Sequence, residues 1–304
     1  RGYEVEALRN DQDELEHLQA DRNKKIPLAS LKSDLLISNG ARLYNDHTHP
    51  EFSTPECRDL FGLVAYDRAG ERILSHCAKL RSEALLSGLV RLYKNNTDFQ
   101  GHSYGTHENF LIQRSLDFDS VVSTLIPFLI TRQIFSGAGK VGDEEGFGNG
   151  PSSYQISQRA DFFEVICSVD TMQNRPIVNS RDEPHANSEF WRRLHIIIGD
   201  ANMCEWATAI KIGTLSLILD LLEDGCVPLL KLDNPIMTLK SISKDSSYTW
   251  PVLMENGRYS SAIEIQSLYL QTAQSEFGGR DFETDWLLTE WSRALDALAG
   301  DHYS

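Results

Sequence analysis

The sequence predicts an α+β fold, a curved and mainly antiparallel sheet forming a cradle backed by helices. Three observations predict it. Candidate strands follow one another without the strand–helix alternation of a parallel sheet. Asn-Gly turn signals at Asn39-Gly40 and Asn256-Gly257 adjoin extended runs. Five of these runs place polar groups on one face. A bent sheet with helices behind its apolar face would gather those groups into one hollow. With 304 residues, 41% of them hydrophobic, the chain can bury a sizeable core.

Residues 1–26 are dense in charge, with Asp11, Asp13, Glu14 and Glu16 close together and no strong apolar stripe. They read as a separate, exposed or mobile segment ending at Lys24-Lys25-Ile26-Pro27, before one catalytic domain over 27–304. Asn39 to Cys57, NGARLYNDHTHPEFSTPEC, holds the densest site chemistry. Read as a strand stopped by Pro50, it puts Tyr44, Asp46 and Thr48 on one face and His47 and His49 on the other. After Pro50, Glu51 could swing back. Thr54-Pro55-Glu56 reads as the start of a helix reaching about Leu86. Val90–Lys94 alternates as a strand, followed by a turn over 95–98.

Ser103–Ile112 is again strand-like, with Gly105, His107 and Asn109 on one face. Gly105 removes bulk beside His107, as a ligand's close approach would need. Ser115–Phe135 is an apolar helix. Residues 136–153 carry six glycines and read as a long hairpin connection. Their Gly139-Lys140 lacks the GxxxxGK[ST] spacing of a phosphate-binding loop. Tyr154–Val165 and Pro176–Pro184 read as strands bearing Arg159 and the pair Asn179 and Arg181. Arg192–Asp200 is the most apolar strand, with Arg193 and His195 on one face. Helices follow over Met203–Glu223, with Gly225 as a stop signal, and over Asn234–Ser243. A hairpin around Asn256-Gly257 precedes two amphipathic helices at about 260–276 and 282–298.

Forty-four acidic against 29 basic residues leave a net charge of −15, which disfavours nucleic acid as a partner. No run is apolar enough to cross a bilayer, and no signal-peptide pattern opens the chain. The five cysteines are widely spaced without a CxxC, which suits a reducing cytoplasm.

In a single cradle, Tyr44, Asp46, Glu51, His107, Asn109, Arg159, Asn179, Arg181 and His195 would line one site. Carboxylate, imidazole and phenol groups suit Mg²⁺ or Mn²⁺, with phosphate oxygens and water completing the shell. Arginines would hold a terminal phosphate, and a carboxylate beside it could serve as base or nucleophile. A mononuclear metallohydrolase built on His107, His195 and Glu51 is the alternative, without an HExxH spacing to support it.

The segments NGARLYNDHTHPEFSTPEC, YKNNTD, SYGTHENF, SQRADFFEV, RPIVNSRDEPHA and RRLHIIIGDANM occur in the order found in the Dop/PafA family. That family contains the depupylase and deamidase of the ubiquitin-like protein Pup and the Pup ligase. The resemblance runs from about Ser38 to Ala299. It implies a glutamine synthetase-like fold, bound ATP (or ADP plus phosphate) and Mg²⁺, and Pup and pupylated proteins as partners. It also implies Asp46 as the catalytic aspartate, Tyr44, Glu51, His107 and His195 near the metals, and Arg159, Arg181 and Asn109 at nucleotide phosphate.

Asp46-His47-Thr48-His49-Pro50-Glu51, Thr106 and ADFFEV resemble the depupylase branch; the ligase carries an extra residue, with Val-Gly-Ser before the histidine. The implied reaction is hydrolysis of the isopeptide bond between the C-terminal Glu of Pup and a substrate Lys, and of the C-terminal Gln amide of Pup. A ligase of the same fold and an inactive Pup-binding fragment are the other readings. The family's Gly-Ile-Glu-Thr-Glu strand has no match here, Glu4 and Glu6 repeating only its Glu-x-Glu spacing, and its small C-terminal domain is not found by Ser304. The chain is therefore expected to be one piece of a longer family member.

Overall fold

The computed structural model describes residues 34–46, 49–85, 87–142, 154–169 and 174–300. The charged segment 1–26, its boundary at Lys24–Pro27 and most of the glycine-rich loop lie outside these residues. The chain divides into two compact units, Arg1–Tyr93 and Lys94–Ser304. Helices and sheets are mixed as an α+β fold requires.

In the first unit, β1 (Asp34–Leu36), β2 (Arg42–Asp46) and β3 (His49–Ser53) form an antiparallel meander. The Asn39-Gly40 signal is a turn: Gly40 has φ +92°, which a side chain would strain, and Asn39 Oδ1 accepts from the Ala41 amide at 3.0 Å. The predicted single strand up to Pro50 is corrected. The chain reverses between Asp46 and His49, which pair across the ladder. Pro50 lies inside β3, opposite Asn45, on the outer strand, where a residue without an N–H is tolerated.

Helix α1 (Leu60–Ala84) starts later than Thr54-Pro55-Glu56 suggests, because Asp59 supplies the cap by accepting from the Gly62 amide at 2.6 Å. It packs on β3 at Gly70, where a Cβ would lie 2.3 Å from the Phe52 ring. Val90–Lys94 is irregular, since its alternation finds no partner strand among the described residues.

In the second unit, β4 (Glu108–Gln113), β7 (Val165–Ser168), β8 (Pro176–Asn179) and β9 (Trp191–Ile196) form one sheet in the order β4-β9-β8-β7. Only the β7–β8 pair is parallel. Ile112, Val178, Leu194 and Ile196 join the helical core. That core centres on Phe128, which meets Tyr269 and Trp291 edge-on at 5.5 and 5.9 Å. The helices are α2 (Phe118–Thr131), the short α3 (Gln133–Ser136), α4 (Glu205–Glu223), α5 (Pro235–Lys244), α6 (Ala262–Phe277) and α7 (Phe282–Ala299). The apolar helix predicted over 115–135 is thus divided at Arg132.

Strands β5 (Lys140–Val141) and β6 (Tyr154–Gln155) pair antiparallel, so the glycine-rich stretch does join a hairpin. The second ribbon, β10 (Pro251–Leu253) with β11 (Tyr259–Ser261), turns at Gly257 with φ +78°. A capping box at Ser261 and Glu264 then starts α6. Among the described residues no helix is long and apolar enough to cross a membrane.

Candidate functional site

The β2–β3 hairpin builds the site of the first unit. Directly opposed residues of an antiparallel pair share a face, and Tyr44 opposes Glu51 while Asp46 opposes His49. All four side chains therefore lie together. His49 joins Asp46, although a single strand would have sent it to the other side.

The Tyr44 hydroxyl donates to Glu51 Oε2, and His49 Nε2 lies 3.5 Å from Glu51 Oε1. Asp46, His49 and Glu51 each offer a ligand atom within 4.8 Å of the others. Burial and the Glu51 hydrogen bond push the Tyr44 phenol up to about 12. Tyr44 is thus a neutral donor across physiological pH. The stability this linkage contributes is complete below pH 10 and is lost as pH rises toward 12. Arg42 covers the Tyr44 ring at 4.4 Å. Two carboxylates, a phenol and an imidazole fit a hard divalent cation such as Mg²⁺ or Mn²⁺.

The second unit supplies a polar row across its sheet. Asn109, His195, Asn179 and Ser168 are successive cross-strand partners on β4, β9, β8 and β7. His107 precedes β4, and its Nδ1 lies 3.4 Å from His195 Nε2. His195 is buried and His107 exposed. Arg193 Nε donates to Asn109 Oδ1 at 2.7 Å, so alternation on β9 brings a guanidinium to this face that the predicted site omits. Asn179 Oδ1 accepts from the Arg181 amide at 2.7 Å and fixes the chain just past β8, where Arg181 is exposed.

Arg159 is placed differently. It is fully buried, and its Nη1 donates to Ile197 O and, at 2.7 Å, to Gly199 O. Gly105 makes room for this guanidinium, not for a ligand: a Cβ there would lie 2.3 Å from Arg159 Nη1. Burial, then the charge of Arg175, pushes Arg159 down to about 9. Arg159 Nη2 is buried without a hydrogen-bond partner among the described residues. A buried guanidinium with an orphaned donor, beside a second arginine, fits an anion such as phosphate. Lys140 of Gly139-Lys140 serves structure, lying buried 3.6 Å from Asp161 Oδ2.

Tyr44, Asp46 and Glu51 thus meet in the first unit. His107, Asn109 and His195 gather at one face of the second unit's sheet, Arg181 lies just past β8, and Arg159 is buried against the 197–199 backbone. His49 and Arg193 are the members that sequence reasoning left out.

The chain is 44% identical over 276 residues to a depupylase of Acidothermus cellulolyticus, covering 88% of this chain and 54% of that protein. It is 42% identical over 290 residues to a Pup–protein ligase of Kineococcus radiotolerans, covering 92% and 63%. The chain therefore spans little more than half to under two thirds of these relatives. The solved structure of the Pup ligase PafA in complex with ADP matches with a TM-score of 0.81 at 37% identity, over 96% of this chain and 65% of that one. The complex between Pup and PafA matches at 0.79 and 37%, over 96% and 60%. A model described as Pup-ligase protein matches residues 1–304, and the chain belongs to that family.

Proposed function

We propose that this chain forms the catalytic part of a depupylase and Pup deamidase. The reaction adds water to the isopeptide bond between the C-terminal Glu of Pup and a substrate Lys, giving free Pup and a free amine. With Pup ending in Gln, the same addition releases ammonia.

The observation that carries this reading is the β2–β3 hairpin. Only two residues separate Asp46 from His49, which places both in one ladder pair beside Glu51 and Tyr44. By the family resemblance, the ligase pattern has one residue more at this point. Asp46 is the base or nucleophile, Tyr44 and Glu51 would be metal ligands in the first unit, and His107 and His195 would be metal ligands in the second. Arg181 and Asn109 would hold nucleotide phosphate, and the orphaned Nη2 of Arg159 would be the donor left for it. When bound, Mg²⁺ would supply positive charge for the oxygen of the carbonyl under attack. The fold that goes with this reading is glutamine synthetase-like, and the reaction belongs in the cytoplasm.

A ligase is the second reading, favoured by relatives of nearly equal identity and by both PafA structures. Two incubations with ATP and Mg²⁺ separate the readings. A depupylase frees Pup from a conjugate and forms no conjugate from free Pup ending in Glu with a lysine acceptor. Conjugate formation with continuing ADP release would make the chain a ligase. Binding of Pup without turnover in either incubation would leave it a binding fragment.

A further inference from the structure

We propose that the buried Arg132–Glu108 pair, with Lys211 behind it, positions the His107–His195 pair. The inference rests on the reading of those histidines as metal ligands. Glu108 sits between His107 and Asn109 but points to the opposite, buried face. Its Oε1 and Oε2 accept from Arg132 Nη2 and Nη1 at 2.5 and 3.0 Å, and both side chains are at most 2% exposed. Such a forked pair fixes two groups in angle as well as distance. Compared with apolar side chains of similar volume it adds little stability, so its geometry is the more telling property.

The ladder of β4 and β9 begins at Glu108 opposite Ile196. His107 therefore lies just outside it, and other ties must hold it. Thr106 N donates to Gly199 O at 3.1 Å, Lys211 Nζ donates to Asp200 O at 2.5 Å, and Arg132 Nη1 reaches Lys211 O at 3.2 Å. Gly199 lets the Glu108 carboxylate approach, for a Cβ there would meet Oε1 at 2.8 Å. The buried charges thus clamp residues 106–108 to 199–200, the two segments flanking the paired imidazoles.

The test compares the unaltered chain with His107→Ala and with the double variant Arg132→Met, Glu108→Gln, which removes both charges at similar volume. Ring-nitrogen NMR shifts of His107 and His195 report the pair, Mn²⁺ titration reports metal affinity, and thermal unfolding controls for the fold. A double variant with unchanged melting temperature, a lost shared N–H···N signature and Mn²⁺ binding weakened about tenfold or more supports positioning. Unchanged ring shifts in a folded double variant overturn it. If the double variant does not fold, Arg132→Lys, which keeps the charge without the fork, takes its place with the same two outcomes. Equal Mn²⁺ binding by the unaltered chain and His107→Ala would sink the metal reading alone, and the ring shifts then decide the positioning inference.

Discussion

Arg132→Met is expected to destabilise the second unit by about 3–5 kcal/mol, among the largest effects open to a single substitution. The methionine itself is not the problem, since its volume and flexibility suit the site. The loss comes from the Glu108 carboxylate, which stays buried under Gly199 with its two best donors removed. Lys211 O loses a donor as well. Adding Glu108→Gln to the same chain should recover most of the loss, because a neutral amide costs far less to bury than a charge. Denaturant unfolding of the two singles and the double measures this coupling. A single variant within about 1 kcal/mol of the unaltered chain would show that water already reaches the pair.

Asp46→Asn is expected to reduce Pup release from a conjugate by about 10²–10⁴-fold, the range for losing a positioned base. The substitution keeps size and removes charge and basicity. Asp46 lies half-buried at the end of β2, so stability should change by no more than about 0.5 kcal/mol. Loss of turnover with an intact melting curve is therefore the expected pair of results. Full turnover would remove Asp46 from the chemistry.

What could be read from the sequence was mostly local. Asn256-Gly257 marked its hairpin, Asn234 its helix start, and the last two helices fell within two or three residues of their predicted bounds. These signals act over a few residues and need no partner. The β2–β3 hairpin was missed because no Asn-Gly or Asp-Gly stands between Asp46 and His49, and Pro50 imitates a stop. That one misreading put His49 on the wrong face. Val90–Lys94 failed for the opposite reason: its alternation is genuine, but a strand also needs a neighbour.

The face of His107, Asn109, His195 and Arg193 was legible from alternation alone. The pairing of Glu108 with Arg132 was not, since 24 residues and a helix separate them. Gly105 shows the same limit. A small residue beside a histidine signals that something comes close, and only the fold shows that it is Arg159.

The proposed function turns on the hairpin groups Tyr44 and Glu51 binding the divalent metal of a nucleotide, with Asp46 beside it. A crystal structure of the chain with ADP and Mn²⁺, using the anomalous signal of manganese, tests it most directly. The expected result is manganese at direct ligand distance, about 2.0–2.3 Å, from Glu51 or Tyr44, with nucleotide phosphate alongside and Asp46 facing it. Manganese bound away from both Glu51 and Tyr44, with Asp46 facing neither metal nor phosphate, would contradict it.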